Sequence, residues 1–196
     1  MNHLMAHADN SIITGKFKGG LGKQLVFREW AGKTVVAKSP KSRTGGPTPA
    51  QAELQEKFLV ASRYAKGVIQ SADQSLAQAY ALALRPRQNV YSRSLEDFMS
   101  PPVVKSIDKS SYKGAVGDTI IIRAVDDFRV TGVRVEIYAA DGTVLETGNA
   151  VQNTNGIDWT YRATKVNSAP AGLAGCKIKA IASDVPGNEG SLEVTL

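Results

Sequence analysis

The spacing of hydrophobic and polar residues divides the chain into three stretches. From residue 11 to residue 39, short runs of β-branched and aromatic residues predict strands. From residue 48 to residue 98, apolar residues recur at intervals of three and four, which indicates amphipathic helices. After residue 102, short alternating runs separated by turn residues predict strands again.

The last two strand-like runs of the first stretch predict a β-hairpin. They cover residues 24–30 and 34–39, and Gly32 between them suits a tight turn with positive φ. An isolated hairpin is marginally stable in water, so we expect it to pack on the following helices or on another subunit. Neither face of its first strand is purely apolar, since the two faces carry Leu25, Phe27 and Glu29, and Val26, Arg28 and Trp30.

The first helix has a clear start. Thr48 is the expected N-cap, Pro49 occupies the first helical position, and Gln51 stands three residues after the cap. The helix is predicted to run to about residue 69 and to present one apolar stripe, which consists of Leu54, Phe58, Ala61, Ala65 and Val68.

Two shorter helices follow, at about residues 71–84 and 89–98. Pro101 and Pro102 then prevent the last helix from continuing. We expect the three helices to form a small core of their own. In the two shorter ones its members are Leu76, Tyr80, Ala83, Val90, Leu95 and Phe98.

Seven short strands are predicted after the two prolines, which suggests a β-sandwich. Alternation is strict in the third strand, where Val133, Val135 and Ile137 should face the core. Trp159 and Ile178 are also expected to be buried. The seven strands are residues 103–107, 118–125, 130–139, 143–151, 157–163, 176–183 and 191–196.

These elements predict two domains. Residues 1–100 would form an α+β module with a β-hairpin and two or three helices, and residues 101–196 an all-β sandwich of about seven strands.

The positive charge lies in the first of these domains. Residues 1–100 hold 14 Lys and Arg against 7 Asp and Glu, for +7, whereas residues 101–196 hold 10 against 11, for −1. Such a basic region attracts phosphate or an acidic protein surface. The candidate partner-binding cations are Lys16, Lys18, Lys23, Arg28, Lys33, Lys38, Lys41 and Arg43.

Several classes of protein are excluded. A single cysteine, Cys176, cannot form an internal disulfide or a multi-cysteine zinc site, and we expect it to be a buried structural residue. No apolar run is long enough to span a bilayer, and the first residues do not form a secretory signal. We therefore expect synthesis in the cytoplasm, with any delivery outside the cell occurring as part of an assembly.

Two motifs that could bind a ligand are incomplete. The glycine-rich residues 15–23 end in Gly22-Lys23, but Gln24 stands where a phosphate-binding loop needs Ser or Thr, so we interpret this segment as a turn or linker. His3 and His7 have helical spacing, but no third ligand lies nearby, so we expect no metal site there. No cofactor and no small-molecule substrate are predicted.

Acidic residues cluster in two loops that share one end of a sandwich. Asp126 and Asp127 follow the second predicted strand of this domain, and Asp184, Asn188 and Glu189 follow the sixth. Two alternatives remain open: these oxygens could bind calcium, or they could make turns and caps. The loops should also face the basic module, which suggests an electrostatic contact within one chain or between neighbours.

The C-terminal half resembles the bacterial Ig-like domains of adhesins and of surface or fibre proteins. The resemblance rests on the segments 117–127, 130–137, 159–161 and 178–188 together with Gly142, and it covers about half of the chain. It implies a seven-stranded Ig-like sandwich used for spacing, display or assembly, with no catalytic residues to transfer. The N-terminal half loosely resembles an uncharacterised bacterial family with a basic hairpin followed by helices.

The function predicted from the sequence is that of a non-enzymatic structural or assembly protein, in a bacterial or phage-like setting. The Ig-like domain would be displayed or packed, and the basic module would dock to a protein partner or to other copies. The alternative is nucleic-acid binding by the basic hairpin, with Trp30 or Phe27 available for stacking. An enzyme of unknown class is the third possibility.

Overall fold

A computed structural model describes residues 6–8, 18–30, 32–40, 45–169 and 172–196, with backbone alone for 6–8. The chain separates into two compact units, Met1–Thr48 and Pro49–Leu196. This division falls after residue 48, whereas the predicted domain boundary falls after residue 100. The difference arises because the helices pack on the C-terminal strands: for example, Asn188 donates a hydrogen bond to the carbonyl of Phe98 at 3.1 Å.

The first unit contains one four-stranded antiparallel sheet, the N-terminal sheet, with strand order β1-β4-β3-β2. The predicted hairpin is confirmed, with Leu25 opposite Lys38 and Trp30 opposite Lys33. Gly32 in its turn has φ +77°, which glycine adopts without steric cost. The strands are β1 (Ala6–Ala8), β2 (Gly19–Leu21), β3 (Leu25–Trp30) and β4 (Lys33–Lys38).

The second unit begins with three helices: α1 (Pro49–Gln70), α2 (Ser75–Leu82) and α3 (Val90–Met99). The first and third match the prediction closely. The second begins four residues later than predicted, because Asp73 accepts a hydrogen bond from the Ser75 amide and holds the chain in a turn. Asn89 and Ser92 cap α3 reciprocally.

The predicted apolar stripe of α1 is only partly buried. Ala61, Ala65 and Val68 are buried as expected, but Leu54 and Phe58 are 58% and 52% exposed. The C-terminal half of α1 therefore packs in the unit, whereas its N-terminal half keeps an exposed apolar surface.

The predicted apolar core of α3 is wrong in one respect. Its fully buried residues are polar, namely Arg93, Ser94 and Asp97, while Val90 and Phe98 are only half-buried. This happens because the face of α3 with Arg93 meets Asp127, in the loop after the second strand of the C-terminal half.

The C-terminal strands form two four-stranded antiparallel sheets, ordered β5-β6-β10-β9 and β12-β11-β7-β8. The strands are β5 (Val103–Asp108), β6 (Thr119–Val125), β7 (Val130–Tyr138), β8 (Val144–Asn149), β9 (Val151–Gln152), β10 (Asp158–Arg162), β11 (Lys177–Asp184) and β12 (Glu189–Thr195). The fourth predicted strand is divided at Ala150, whose amide donates to the carbonyl of Val133. The chain crosses there from one sheet to the other.

Both sheets contribute to one hydrophobic core. Trp159 from β10 is 6% exposed, and Val135, Ile137 and Ile178 from β7 and β11 are completely buried, as predicted. A smaller cluster, with Tyr80 and Val68 at its centre, joins the helices to Phe128 in the loop after β6. The described chain is therefore a mixed α+β protein whose helices precede a β-rich, two-sheet core.

Candidate docking surface and carboxylate cluster

The net positive charge of the protein resides entirely in the first unit. Residues 1–48 hold 8 of the 24 Lys and Arg and 2 of the 18 Asp and Glu, for +6, which leaves 16 of each sign and no net charge for residues 49–196. Of the predicted cations, Lys18, Lys23, Arg28, Lys33 and Lys38 are described and exposed. Lys16, Lys41 and Arg43 lie outside the described residues, as do the side chains of His3 and His7.

The cations of the N-terminal sheet lie on both of its faces. The strand register places Arg28, Trp30 and Lys33 on one face. Leu25 and Lys38 lie opposite one another on the other face, which also carries Phe27. Both faces thus combine positive charge with apolar side chains, as the alternation in the sequence indicated.

The described side chains of the N-terminal sheet form almost no core. Among its described side chains, Thr34 and Val35 are the buried ones. Leu21 is 60% exposed and Trp30 is 68% exposed. A two-sided sheet with so little buried apolar area gains stability when another surface covers it.

Few acidic side chains neutralise the sheet. Lys18 pairs with Glu29 at 2.9 Å, whereas Lys23, Arg28 and Lys38 have no ion-pair partner among the described residues. Exposed pairs such as Lys18–Glu29 contribute little stability. The sheet therefore presents a largely uncompensated positive field.

A groove of about 660 Å³ lies along the N-terminal half of α1. Its apolar lining includes Leu54, Val60 and Phe98, and its polar lining includes Glu53 and Glu56. Lys57 also lines it and donates a hydrogen bond to the carbonyl of Met99 at 3.2 Å. We call this feature the α1 groove.

On α3, Arg93 connects the helices to the strands. Its guanidinium, in a side chain 2% exposed, donates to Asp127 Oδ2 at 2.9 Å and to the carbonyl of Asp127 at 2.6 Å. Phe128 packs beneath it, with its ring centroid 5.6 Å from the guanidinium carbon. Burial opposes the charge of Arg93, but the hydrogen bonds and charge of Asp127 outweigh this cost and raise its pKa.

Asp97, one turn further along α3, is completely buried. The Tyr80 hydroxyl donates to Asp97 Oδ2 at 2.5 Å, and the Tyr64 and Tyr80 hydroxyls lie 2.9 Å apart. Asp97 Oδ1 has no hydrogen-bond partner. Burial raises the pKa of Asp97 to about 7, the Tyr80 hydrogen bond opposes the rise, and the charges of Asp126 and Asp127 add to it.

Asp126 and Asp127 complete a carboxylate cluster with Asp97. Each of the three offers one ligand atom, and these atoms all lie within 4.8 Å of one another. Asp126 Oδ2 accepts the amide of Arg129 at 2.9 Å. The Oδ1 atoms of Asp126 and Asp127 are buried without a hydrogen-bond partner, like that of Asp97.

The remaining predicted acidic residues are not in this cluster. Asp184 is 3% exposed and accepts hydrogen bonds from Asn188, from its amide at 2.6 Å and from its side chain at 2.7 Å. Burial raises the pKa of Asp184, and these hydrogen bonds oppose the rise. Glu189 is exposed.

Sequence reasoning missed Arg93 and Asp97. Both lie in a short helix that the sequence predicts from its apolar residues. The spacing of four between Arg93 and Asp97 places these two residues on one face of that helix. That spacing alone is equally typical of a solvated ion pair. Only the packing of α3 against the loop after β6 shows that this face is buried.

Cys176 is buried and free, as predicted. Its thiol donates to the carbonyl of Gly172 at 3.3 Å, and the C-terminal half contains no histidine that could activate it.

The chain matches no protein-family model and no curated protein. Among solved structures, it is similar to the crystal structure of an engineered protein, with 26% identity, a TM-score of 0.33, and coverage of 48% of this chain and 19% of that chain. A superposition this loose does not define a shared fold.

Within the described ranges, none of the helices combines the length and the apolar character that crossing a membrane requires.

Proposed function

We propose that this protein is a non-enzymatic structural or assembly protein, whose N-terminal sheet docks onto a second copy of the chain. The observation that carries this proposal is the composition of the sheet: it is basic and apolar on both faces, and few of its described side chains are buried. Covering such a sheet removes exposed apolar area from water, and a complementary surface neutralises its charge.

The second unit supplies the rigid part of the assembly, and we infer that its strands form an Ig-like sandwich. Two observations support this. The order β5-β6-β10-β9 corresponds to the A-B-E-D sheet of immunoglobulin domains, and β12-β11-β7 corresponds to the G-F-C sheet. A domain of this kind serves display or packing without chemistry, which agrees with the resemblance in the sequence.

The N-terminal sheet of one copy docks onto the α1 groove of a second copy. Its apolar residues Leu54 and Phe98 complement Trp30 of the sheet. Its acidic residues Glu53 and Glu56 complement Arg28 and Lys33, which lie on the same face of the sheet as Trp30. Two sheets of like charge would repel each other, so pairing of sheet with groove is favoured over pairing of sheet with sheet.

Nucleic-acid binding is the rival function, and the sheet is poorly suited to it. Single-stranded nucleic acid binds where several aromatic rings, on which successive bases stack, share one surface with cations. The register places Phe27 and Trp30 on opposite faces of the sheet, so the two rings do not form a common stacking platform.

A charge-swap experiment with the full chain tests the proposed function. Size-exclusion chromatography with light scattering should show concentration-dependent assembly of the parent. Reversing the charge of three cations of the sheet (Lys23→Glu, Arg28→Glu, Lys33→Glu) should abolish assembly. Reversing the two acidic residues of the groove (Glu53→Lys, Glu56→Lys) should abolish it too. Mixing the two variants should restore assembly, because the acidic sheet of one then meets the basic groove of the other.

The matched control reverses three exposed cations of the second unit (Lys105→Glu, Arg162→Glu, Lys165→Glu) and should assemble like the parent. A strictly monomeric parent at high concentration would contradict the proposal. So would tight DNA binding near physiological salt that weakens steeply as salt rises, because that slope counts released phosphate counterions.

A further inference from the structure

Asp97, Asp126 and Asp127 lie together between α3 and the loop after β6, and each has one buried carboxylate oxygen that receives no hydrogen bond from a donor group. The Oδ1 atoms of Asp97, Asp126 and Asp127 are each shielded from solvent, and no N–H or O–H group of the described residues donates to them. Asp97 and Asp127 also lie close enough to share a proton. Native proteins rarely leave buried polar atoms unsatisfied, so each such atom calls for a binding partner. Three carboxylates of one cluster, each with such an atom, can be satisfied by one shared ligand.

The net charge of the cluster also indicates a bound cation. Arg93 is the cation that pairs with it, through Asp127, so the three carboxylates exceed the neighbouring positive charge by two when all are ionised. Asp184 lies close enough for the charge of Asp126 to act on it. Buried like charges destabilise each other strongly unless a cation or a proton compensates them.

We propose that Asp97, Asp126 and Asp127 bind a calcium ion, which fastens α3 to the end of the β-sheet core. The site is distinct from the N-terminal sheet and does not depend on the proposed assembly. It takes up one of the two alternatives that the sequence left open for Asp126 and Asp127, and it adds Asp97, a fully buried ligand from a helix.

The spacing of the oxygens suits this ion. The three ligand oxygens lie within 4.8 Å of one another, so a point exists that is no more than 4.8/√3, or about 2.8 Å, from each. Calcium binds oxygen at about 2.3–2.6 Å. The separations of these oxygens are thus compatible with calcium coordination, and water or backbone carbonyls can complete the shell.

The ligand set also selects against other metals. Zinc prefers nitrogen and sulfur donors, whereas this cluster offers carboxylate oxygen alone. Magnesium binds at about 2.0–2.1 Å in a strict octahedron and keeps several of its waters. A tightly packed cluster with an immobile helical ligand suits the more adaptable calcium ion better.

Thermal unfolding of the full chain, freed of metal with a chelator and then titrated with calcium chloride, tests the proposal. At about a hundredfold excess of calcium over its dissociation constant, Tm should rise by about 5–10 °C. Magnesium at the same concentration should raise it much less. Terbium should bind in place of calcium and give luminescence sensitised by Tyr80, which contacts Asp97.

The two single variants Asp126→Asn and Asp127→Asn should each fold. Each should lose both the calcium-dependent rise in Tm and the terbium signal. Glu189→Gln removes the same charge from an exposed residue that follows β11 and should keep both. Absence of any calcium effect on the parent would overturn the proposal. Equal rises in the parent and in the two Asn variants would overturn it too, as would an equal effect of magnesium.

Discussion

The ion pair between Arg93 and Asp127 should be decisive for the stability of the second unit. We consider Arg93→Met, which keeps an apolar stem of similar length but removes the guanidinium. The substitution deletes the hydrogen bonds at 2.9 and 2.6 Å to Asp127. In the metal-free protein, it leaves the Asp127 carboxylate beside Asp97 and Asp126 without its cation. Removing one partner of a buried ion pair costs about 3–5 kcal/mol.

That cost is large against the total stability of a domain, which is about 5–15 kcal/mol. With a denaturant dependence of about 2 kcal/mol per molar urea, the unfolding midpoint should fall by about 2 M. Urea titration followed by far-UV circular dichroism reports the helices. Fluorescence of Trp159 in a Trp30→Phe background reports the core between the sheets. The two transitions should coincide in the parent, because helices and strands belong to one unit.

Arg123→Met is the matched control. Arg123 also donates two hydrogen bonds to an aspartate, Asp158, at 2.8 and 3.1 Å, but its side chain is 56% exposed. Its loss should cost less than about 1 kcal/mol. Adding Asp127→Asn to Arg93→Met should recover part of the lost stability, since it removes the stranded charge. Equal, small effects of Arg93→Met and Arg123→Met would refute the reasoning.

Three further outcomes follow from the packing. Gly190→Ala should destabilise the protein by about 3 kcal/mol, because a Cβ there would lie 1.7 Å from the carbonyl oxygen of Pro102. Thermal unfolding measures this loss, and Gly132→Ala, whose Cβ would meet open space, is the control. Burial alone would raise the pKa of Glu146, but the hydrogen bonds from Thr164 outweigh it and lower that pKa. Ionised Glu146 therefore stabilises the fold above its ordinary pKa of 4.5, and this stabilisation is lost as pH falls through the lower pKa of the folded state. Urea titrations should show that the loss of stability caused by Glu146→Gln becomes smaller from pH 7 to pH 3. Cys176→Ala should fold and assemble like the parent in light scattering, and loss of assembly in a folded variant would reopen a chemical role for the thiol.

The strands of the C-terminal half could be predicted from the sequence because local signals and burial agree there. Val133, Val135 and Ile137 alternate with polar residues and are buried as the alternation requires. The passage from β8 to β9 could not be predicted, because a strand that changes sheets keeps its strand-like sequence. At Ala150, where the crossing occurs, the distinguishing features are tertiary: the residue is buried and its amide donates a hydrogen bond to the carbonyl of Val133.

The candidate site was predictable only in part. Asp126 and Asp127 stood out as adjacent acids after a strand, and the basic residues stood out by charge. Asp97 and Arg93 did not, because the same residues at helical spacing usually lie on a solvated surface. Burial of a polar helix face depends on what packs against it, and for Arg93 that partner, Asp127, lies 34 residues further along the chain.

Hydrogen–deuterium exchange at two protein concentrations tests the central claim, that the N-terminal sheet is the surface through which copies assemble. Samples of the full chain below and above the assembly concentration, at about physiological salt, are compared by mass spectrometry. Amides of residues 18–38 and of the N-terminal half of α1 should exchange more slowly in the assembled sample, while those of β11 should exchange equally in both. Unchanged exchange across residues 18–38, or protection that appears only when nucleic acid is added, would contradict the account.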